Sequence, residues 1–515
     1  MTTTLEKRKK VCLLLVILIL ALTAEAAPPS FKESGRHLIP DRWWETAAGL
    51  KIVTLKKGRT YAHEISIDPV KASQELDEIK AQGFQAIEIF APAEGLFAYS
   101  GLDTTNFYRI DPKIGTIQDF RQFVRIAHGK GIAVIVFMNI GYFSVEAPDW
   151  IEACTVKGGE KAKWFWWADK ADAPIPPEHP YFNWPRPEGY ERKTWGWQYS
   201  ELAGRYFWAR WRAKDKEGNY IGLPQNDWGS DEWPKEAEKT VRFWMDTGLD
   251  GMIIDAPIYY IGCTWEKNNR HITDAIASYG NTFRQPEGSK DVVWITEGRY
   301  NCLQDYGLKL WSNDIIINAI ETGDPRPIEE SLRNYHDIIV TAEGILYQKV
   351  SNSEELSKRH LARATVAAIG DLVVYDRRSG SPDAEETWIL KTKLLHPALH
   401  QLSTRRKLVT NADEKYYAFL KTAADKSERI LVVLNYQSSP QTIEIDTSGV
   451  ATSGLLELKY GELITPKSHF KAELPVYGNR FYQNGLSAIL LPSLQVELPA
   501  YGYRFYQVLP AKILP

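Results

Sequence analysis

Two acids, Asp255 and Glu297, each end a short apolar run: Gly251-Met-Ile-Ile-Asp255, led in by Gly248-Leu-Asp, and Val292-Val-Trp-Ile-Thr-Glu297. A buried parallel strand delivers a reactive side chain to the rim of a sheet or barrel in this way. Two such strands one βα unit apart bring a pair of carboxyls together, the arrangement needed by an acid and a nucleophile that cleave a glycosidic bond. For either acid alone, capping a following helix is an equal alternative. Their pairing favours chemistry.

The elements that must carry these acids alternate between strand and helix. Residues 50–55 read as a first strand, and 70–82 as a helix with Val70, Leu76 and Ile79 at helical spacing, stopped by Gly83. A strand at 86–90, a helix at 120–130 ended by Gly131, and a β-branched strand at 132–138 follow. A helix at 235–246 feeds the Asp255 strand, and further strands are expected at 315–320, 345–350 and 372–375. This alternation predicts parallel strands, in a closed (β/α)8 TIM barrel or an opened doubly wound sheet, and the count of eight favours the barrel. The barrel is assigned to 27–139 and 234–400. Between its halves, residues 140–233 are rich in Trp, Tyr and Pro and are read as an inserted subdomain after strand 3, because a structureless loop of that length is uncommon. From 405 to 515 short alternating strands (416–422, 429–435, 442–445) predict an antiparallel β-sandwich. Within it the run Glu473 to Gln483 recurs almost unchanged from Glu497 to Gln507, a local tandem duplication.

With 515 residues, 44% hydrophobic content and a net charge of −3, the chain can bury a large core and has no electrostatic footprint for nucleic acid or an anionic membrane. The 18 Trp and 26 Tyr are as compatible with core packing as with flat faces on which sugars stack. Lys7 to Lys10, an apolar run at 11–22 and Ala24-Glu-Ala26 have the form of an export signal, so residues 1–26 are expected to be removed, leaving a secreted or periplasmic protein with no membrane contact. Of four cysteines, Cys12 would leave with the signal. Cys263 and Cys302 follow the two acid strands and suit a disulfide, with two separate buried thiols as the alternative preferred here.

Five stretches, in order, resemble the alpha-amylase family of glycoside hydrolases, near its alpha-glucosidase and oligo-1,6-glucosidase members. Gly101-Leu-Asp103-Thr-Thr-Asn106-Phe107 through Ile110-Asp-Pro112 and Gly115-Thr116 resembles the family's GYDxxDY…IDPxxGT run. Asn139 ends the third strand where the family has DxxxNH, Gly251 to Asp255 is similar to GFRxD, Glu297 to the proton-donor strand, and Asn352-Ser353-Glu354 to NHD. The likeness covers residues 42–508. It implies a retaining double displacement on α-linked glucosides or related oligosaccharides. Asp255 would be the nucleophile, Glu297 the acid and base, and Glu354 the third, stabilising carboxylate. Asp103, Asn139 and Asn352 would line the sugar subsite, and Tyr99 either restores stacking on the sugar or packs on the rim. No metal and no cofactor is expected: the loop 57–64 lacks a ring of oxygen ligands, and no phosphate-binding glycine loop is present.

Departures from the family pattern gather at the same subsite. Ile253 stands where the family has an Arg two residues before the nucleophile, Ile140 and Ser353 replace its histidines, and Leu102 replaces a stacking Tyr. Losing a cation raises the pKa of a neighbouring carboxylate. An exported glycosidase or transglycosidase with a modified subsite is favoured, against a non-catalytic carbohydrate-binding or partner-binding protein on the same scaffold. The remaining candidates have ordinary readings: Glu355, Asp371 and Asp376 as solvated or capping charges, Trp166, Trp197 and Trp228 as packing, and His128 and His271 as helix-surface residues.

Overall fold

A computed structural model describes residues 36–57, 62–95, 101–180, 196–214, 219–262, 270–283, 292–298, 301–312, 314–334, 338–341, 351–448, 450–452, 454–461, 463–464, 489–490 and 493–509. Eight parallel strands run in series through its nine-stranded main sheet, β1 (Gly49–Thr54), β2 (Ala86–Phe90), β3 (Ala133–Met138), β4 (Gly251–Ile254), β5 (Val293–Glu297), β6 (Lys309–Ser312), β7 (Ile338–Val340) and β8 (Val373–Tyr375), and the short strand His63–Glu64 pairs with β1 as the ninth. Their order is β7-β6-β5-β4-β3-β2-β1-β8, so the last strand returns to pair with the first, as a (β/α)8 barrel requires. Across the remaining seam the Asp371 carboxylate accepts the Val340 N–H at 2.8 Å.

Local chemistry sets the surrounding helices. Helix α1 (Pro69–Ala81) starts with Asp68 accepting the Lys71 N–H and Pro69 in the first turn, and it stops before Gly83 at φ +101°. Helix α2 (Ile117–Gly129) begins with a reciprocal capping box between Thr116 and Asp119. Leu50, Ile52, Ala133, Ile135, Ile253 and Ile295 fill the barrel interior, while Leu76, Phe120, Val134, Trp244, Met252 and Ile254 pack the layer beneath the helices. Neighbouring residues of β4 thus point to opposite faces, as the pleat demands. Gly251 lets β4 close on its neighbours, because a Cβ there would lie 2.4 Å from the Val293 carbonyl.

Three expectations are corrected. The run 315–320 is not a strand but part of helix α5 (Ile315–Thr322), whose buried residues Ile315, Ile316, Ala319 and Ile320 have helical spacing. The sixth and seventh strands are instead the short Lys309–Ser312 and Ile338–Val340. His128 is fully buried rather than on a surface: its Nε2 meets Asp250 Oδ2 at 2.8 Å at the entry to β4, where Arg36 pairs with Asp250 Oδ1 at 2.7 Å and the Val134 N–H donates to Oδ2 at 2.7 Å. The expected strand at 345–350 lies outside the described residues.

A four-stranded antiparallel sheet built on the long strand Arg205–Lys214 follows β3 and joins the barrel through bridges Tyr142 to Gln225 and Phe165 to Asn226. On this sheet Trp167, Trp197, Pro174 and Pro176 border a cleft of about 410 Å3. Beyond the barrel a six-stranded antiparallel sheet that includes Thr404–Leu408, Tyr416–Thr422, Arg429–Asn435 and Tyr503–Leu509 stacks on the pair Gln441–Asp446 and Ser493–Leu498. The second copy of the duplicated run spans the turn into Tyr503–Leu509; the first copy lies outside the described residues. Sandwich and barrel meet over buried lysines. Lys421 donates to the carbonyls of Ile369 and His400 at 3.0 and 3.1 Å, and Lys393 to those of Ala47 and Asp371 at 2.6 and 2.5 Å. Burial lowers both ammonium pKa values to about 7.

Candidate active site

Strand register brings the two acids together. Ile254 pairs with Thr296, so the next residues, Asp255 and Glu297, emerge side by side at the C-terminal rim. The Asp255 N–H donates to the Met138 carbonyl at 2.9 Å, which continues the β3–β4 ladder by one residue and fixes where the carboxyl points. Immediately after it Ala256 has φ +40°, a left-handed conformation that a residue with a Cβ adopts only under constraint. That turn aims the Ala256 N–H at Glu297 Oε2, 3.1 Å away.

The carboxyls of Asp255 and Glu297 share a hydrogen bond. Burial first, and then the Glu297 charge, push the Asp255 carboxyl well above the usual carboxylate range, and burial raises Glu297 as well. Two acids this close and this poorly solvated titrate as a coupled pair, each ionisation opposing the other. A third group completes the cluster: the Tyr142 hydroxyl donates to Asp255 Oδ2 at 2.9 Å. The phenol is itself held protonated by burial and by the negative charge of Asp255, Asp103 and Glu297.

Asn139 builds the loop that presents Tyr142. Its Oδ1 accepts the N–H groups of Gly141 and Tyr142 at 2.7 and 3.2 Å, and its Nδ2 donates to the carbonyls of Tyr142 and Leu102 at 2.7 and 3.0 Å. Gly141 has no alternative here, because a Cβ would lie 2.2 Å from the Tyr260 ring, whose hydroxyl donates to the Asp255 carbonyl at 2.8 Å. Over Tyr142 lies Trp211 of the inserted sheet, at 6.1 Å between ring centroids, and Trp211 meets Tyr259 edge to face at 5.3 Å. Arg210 stacks on both Trp211 and Tyr259 at 4.6 Å.

The chain is similar to known proteins. Residues 69–297 match the alpha-amylase catalytic-domain model. Over that stretch the chain is similar to alpha-amylase catalytic domains. Among curated relatives, the oligo-1,6-glucosidase of Heyndrickxia coagulans is 24% identical over 220 residues, covering 41% of this chain and 35% of that protein. The oligo-1,6-glucosidase IMA5 of Saccharomyces cerevisiae is 28% identical over 197 residues, covering 36% of this chain and 31% of that protein. The chain thus spans about a third of the length of these relatives. Eubacterium rectale Amy13B shares the fold with a TM-score of 0.60 at 15% identity, over 94% of this chain and 99% of that one.

Within the barrel, Asp255, Glu297 and the buried Asp103 gather around Tyr142. Asn139 lies beneath them as a loop organiser whose side-chain atoms are engaged by backbone. Glu354 is not brought to the pair. It stands exposed in the first turn of helix α7 (Ser353–Ile369), paired with Lys358 at 2.8 Å and bonded to Tyr501 at 3.4 Å. Asn352 is the exposed N-cap of that helix and accepts the Glu355 N–H, so it too belongs to the helix start. The reason lies in the chain path: the seventh strand ends at Val340, a dozen residues before this motif. Tyr99 lies outside the described residues.

The departures from the family pattern have physical counterparts. Ile253 points into an apolar barrel interior with Ile135 and Ile295, where a guanidinium would need desolvation. Leu102 packs with Tyr142 and Trp211. Cys302 is disulfide-bonded, which overturns the preference for two separate thiols; Cys154 is free and buried, so the partner lies outside the described residues. His360, Asp383 and Glu386 approach one another closely enough to suggest a metal group. Asp383 and Glu386 are, however, the capping box of helix α8 (Ala384–Leu395), and Arg359 and Arg363 both pair with Glu386, which supplies the balancing positive charge.

Tyr142 carried no sequence signal of its own. An aromatic hydroxyl three residues after a strand-ending Asn gains meaning only when the loop folds back over β4.

Proposed function

We propose that the chain is a retaining glycoside hydrolase acting on α-linked glucosides or short oligosaccharides. The observation that carries this reading is the buried, hydrogen-bonded pair Asp255 and Glu297 at the C-terminal ends of adjacent barrel strands, the face on which barrel enzymes place their chemistry. Retaining pairs work with carboxyls about 5 to 5.5 Å apart, whereas inverting pairs stand about 6.5 to 9.5 Å apart to admit a water. Side-by-side positions on adjacent strands, which lie about 4.8 Å apart, suit the closer, retaining spacing.

The Asp255 carboxylate attacks the anomeric carbon. The bond from that carbon to the leaving oxygen breaks, its electrons go to the oxygen, and the oxygen takes the Glu297 proton. In the second half the Glu297 carboxylate removes a proton from water, the water oxygen bonds to the anomeric carbon, and Asp255 leaves as carboxylate. The cycle needs the pair singly protonated, with the proton on Glu297 and Asp255 ionised. The oligo-1,6-glucosidase relatives support α-glucosides as the substrate class. For the third carboxylate, the first acid after β7 in the sequence is Glu343, outside the described residues, and it replaces Glu354 as the residue to test. Residues 1–26 would direct export, and the bonded Cys302 supports an oxidising destination.

The test is sugar release from aryl α-glucosides and short α-glucans by the mature protein, with Asp255→Asn as control, and mass-spectrometric trapping with a 5-fluoroglycosyl fluoride. Release that disappears in the variant, with one glycosyl adduct on Asp255, is the expected result. A folded protein that binds these sugars without turnover would instead make it a carbohydrate-binding scaffold.

A further inference from the structure

We propose that Tyr142 is the positioning residue that replaces the family's missing guanidinium, using a neutral phenol to hold Asp255 in the ionised, attack-ready form. The inference rests on the glycosidase reading above and assigns a device to that same site.

The groups around Asp255 are mostly of its own sign or neutral. Glu297 on β5 faces it with like charge, and Asp103 adds negative charge close to Tyr142. Tyr260 donates to the backbone carbonyl of Asp255 and not to its carboxyl. Ile253 brings no donor, and Arg210 lies one layer out, on Trp211 and Tyr259. Among the described residues, Tyr142 is the group that donates a hydrogen bond to the Asp255 carboxylate, at 2.9 Å. A donor to the charged form favours that form. It does so here against burial and against Glu297, both of which favour the acid.

The donor is built in. Four hydrogen bonds from Asn139 fix its loop, the ring is buried under Trp211, and the side chain-free Gly141 allows the loop to lie flat on Tyr260. A neutral donor also suits an apolar barrel interior better than a guanidinium, because no cation has to be desolvated beneath the pair. Its high pKa keeps the proton on the phenol wherever the pair is singly protonated, so it remains a donor across the working range.

The experiment is the pH dependence of kcat/KM for Tyr142→Phe beside the parent and Asp255→Asn, on one aryl α-glucoside. A hydrogen bond to a charged group is worth about 1.5 to 3 kcal/mol, so kcat/KM should fall roughly 10- to 100-fold, mostly in kcat. The acid limb should move to higher pH, because the carboxylate has lost its donor. Replacing Tyr142 by 3,5-difluorotyrosine, which keeps the shape and strengthens the donor, should move the limb to lower pH. It also keeps the test decisive should the Phe variant fold poorly. A Tyr142→Phe enzyme with an unmoved limb, whether its rate is unchanged or merely lower, overturns the inference while leaving the glycosidase reading intact. Full activity of Asp255→Asn would overturn that reading itself.

Discussion

Two aspartates five residues apart, at opposite ends of β4, have opposite surroundings. Asp250, at the entry, is fully buried and meets Arg36, His128 and the Val134 N–H. Asp255, at the exit, is nearly as buried but faces Glu297, with the phenol of Tyr142 in place of a cation. The first carboxylate is compensated on every side and holds the N-terminal segment and α2 to the strand. The second is left under electrostatic stress, backed by a strained residue at Ala256. One strand thus carries a structural acid at its bottom and the acid proposed to react at its top, the division expected of a barrel enzyme. Burial of an acid alone does not distinguish the two; the sign of its partners does.

Substitutions can break this contrast. The largest effect is expected on turnover: Asp255→Asn should lower kcat for α-glucosides by at least about 10^3-fold without loss of fold, because in the proposed mechanism Asp255 is the nucleophile and acts as a unit with Glu297. Turnover assays with circular dichroism check this. Asp250→Ala should do the reverse. Stranding Arg36 and His128 beside an empty buried site should cost about 3 to 5 kcal/mol in urea unfolding. In molecules that remain folded, KM should be little changed.

A pH series sharpens the comparison further. Because the folded-state pKa of Asp255 is raised, its contribution to stability is complete below the unfolded pKa and is lost as pH rises through the folded value. Asp255→Asn should therefore match the parent's stability at acid pH and exceed it at neutral to alkaline pH, on the order of 1 to 2 kcal/mol, as relief of active-site strain often does. Melting temperatures across pH read this directly. The smallest effect is expected at Glu354: Glu354→Gln should change kcat/KM by less than about twofold and stability by less than about 0.5 kcal/mol, since its ion pair with Lys358 is on the surface. Glu343→Gln in the same assay should be the damaging member of that pair.

Much of this was legible from the sequence. The strands ending on Asp255 and Glu297 were readable because a buried parallel strand is apolar on both faces and stops abruptly at its rim. Helices α1 and α2 were marked by Asp68, Thr116, Gly83 and Gly131, whose roles are local. The sixth and seventh strands were not readable, since Lys309–Ser312 and Ile338–Val340 are too short to set a period. Ile315 to Ile320 misled because β-branched residues favour strands on propensity, while tertiary packing drew them into a helix. The third carboxylate was placed at Glu354 on the likeness of Asn352-Ser353-Glu354 to a family motif, which here caps a helix instead. Tyr142, and the ion pair of Asp250 with Arg36 more than 200 residues away in the chain, depend on contacts that no local pattern records.

The closure of β1 against β8, with Lys421 of the sandwich tied to the carbonyl at the end of α7, sets a timetable for synthesis. The first barrel strand emerges hundreds of residues before its second neighbour. At ordinary translation rates one edge of β1 would wait on the order of tens of seconds for its partner. Through that interval the nascent chain carries an open, apolar strand edge that only its final quarter can cover.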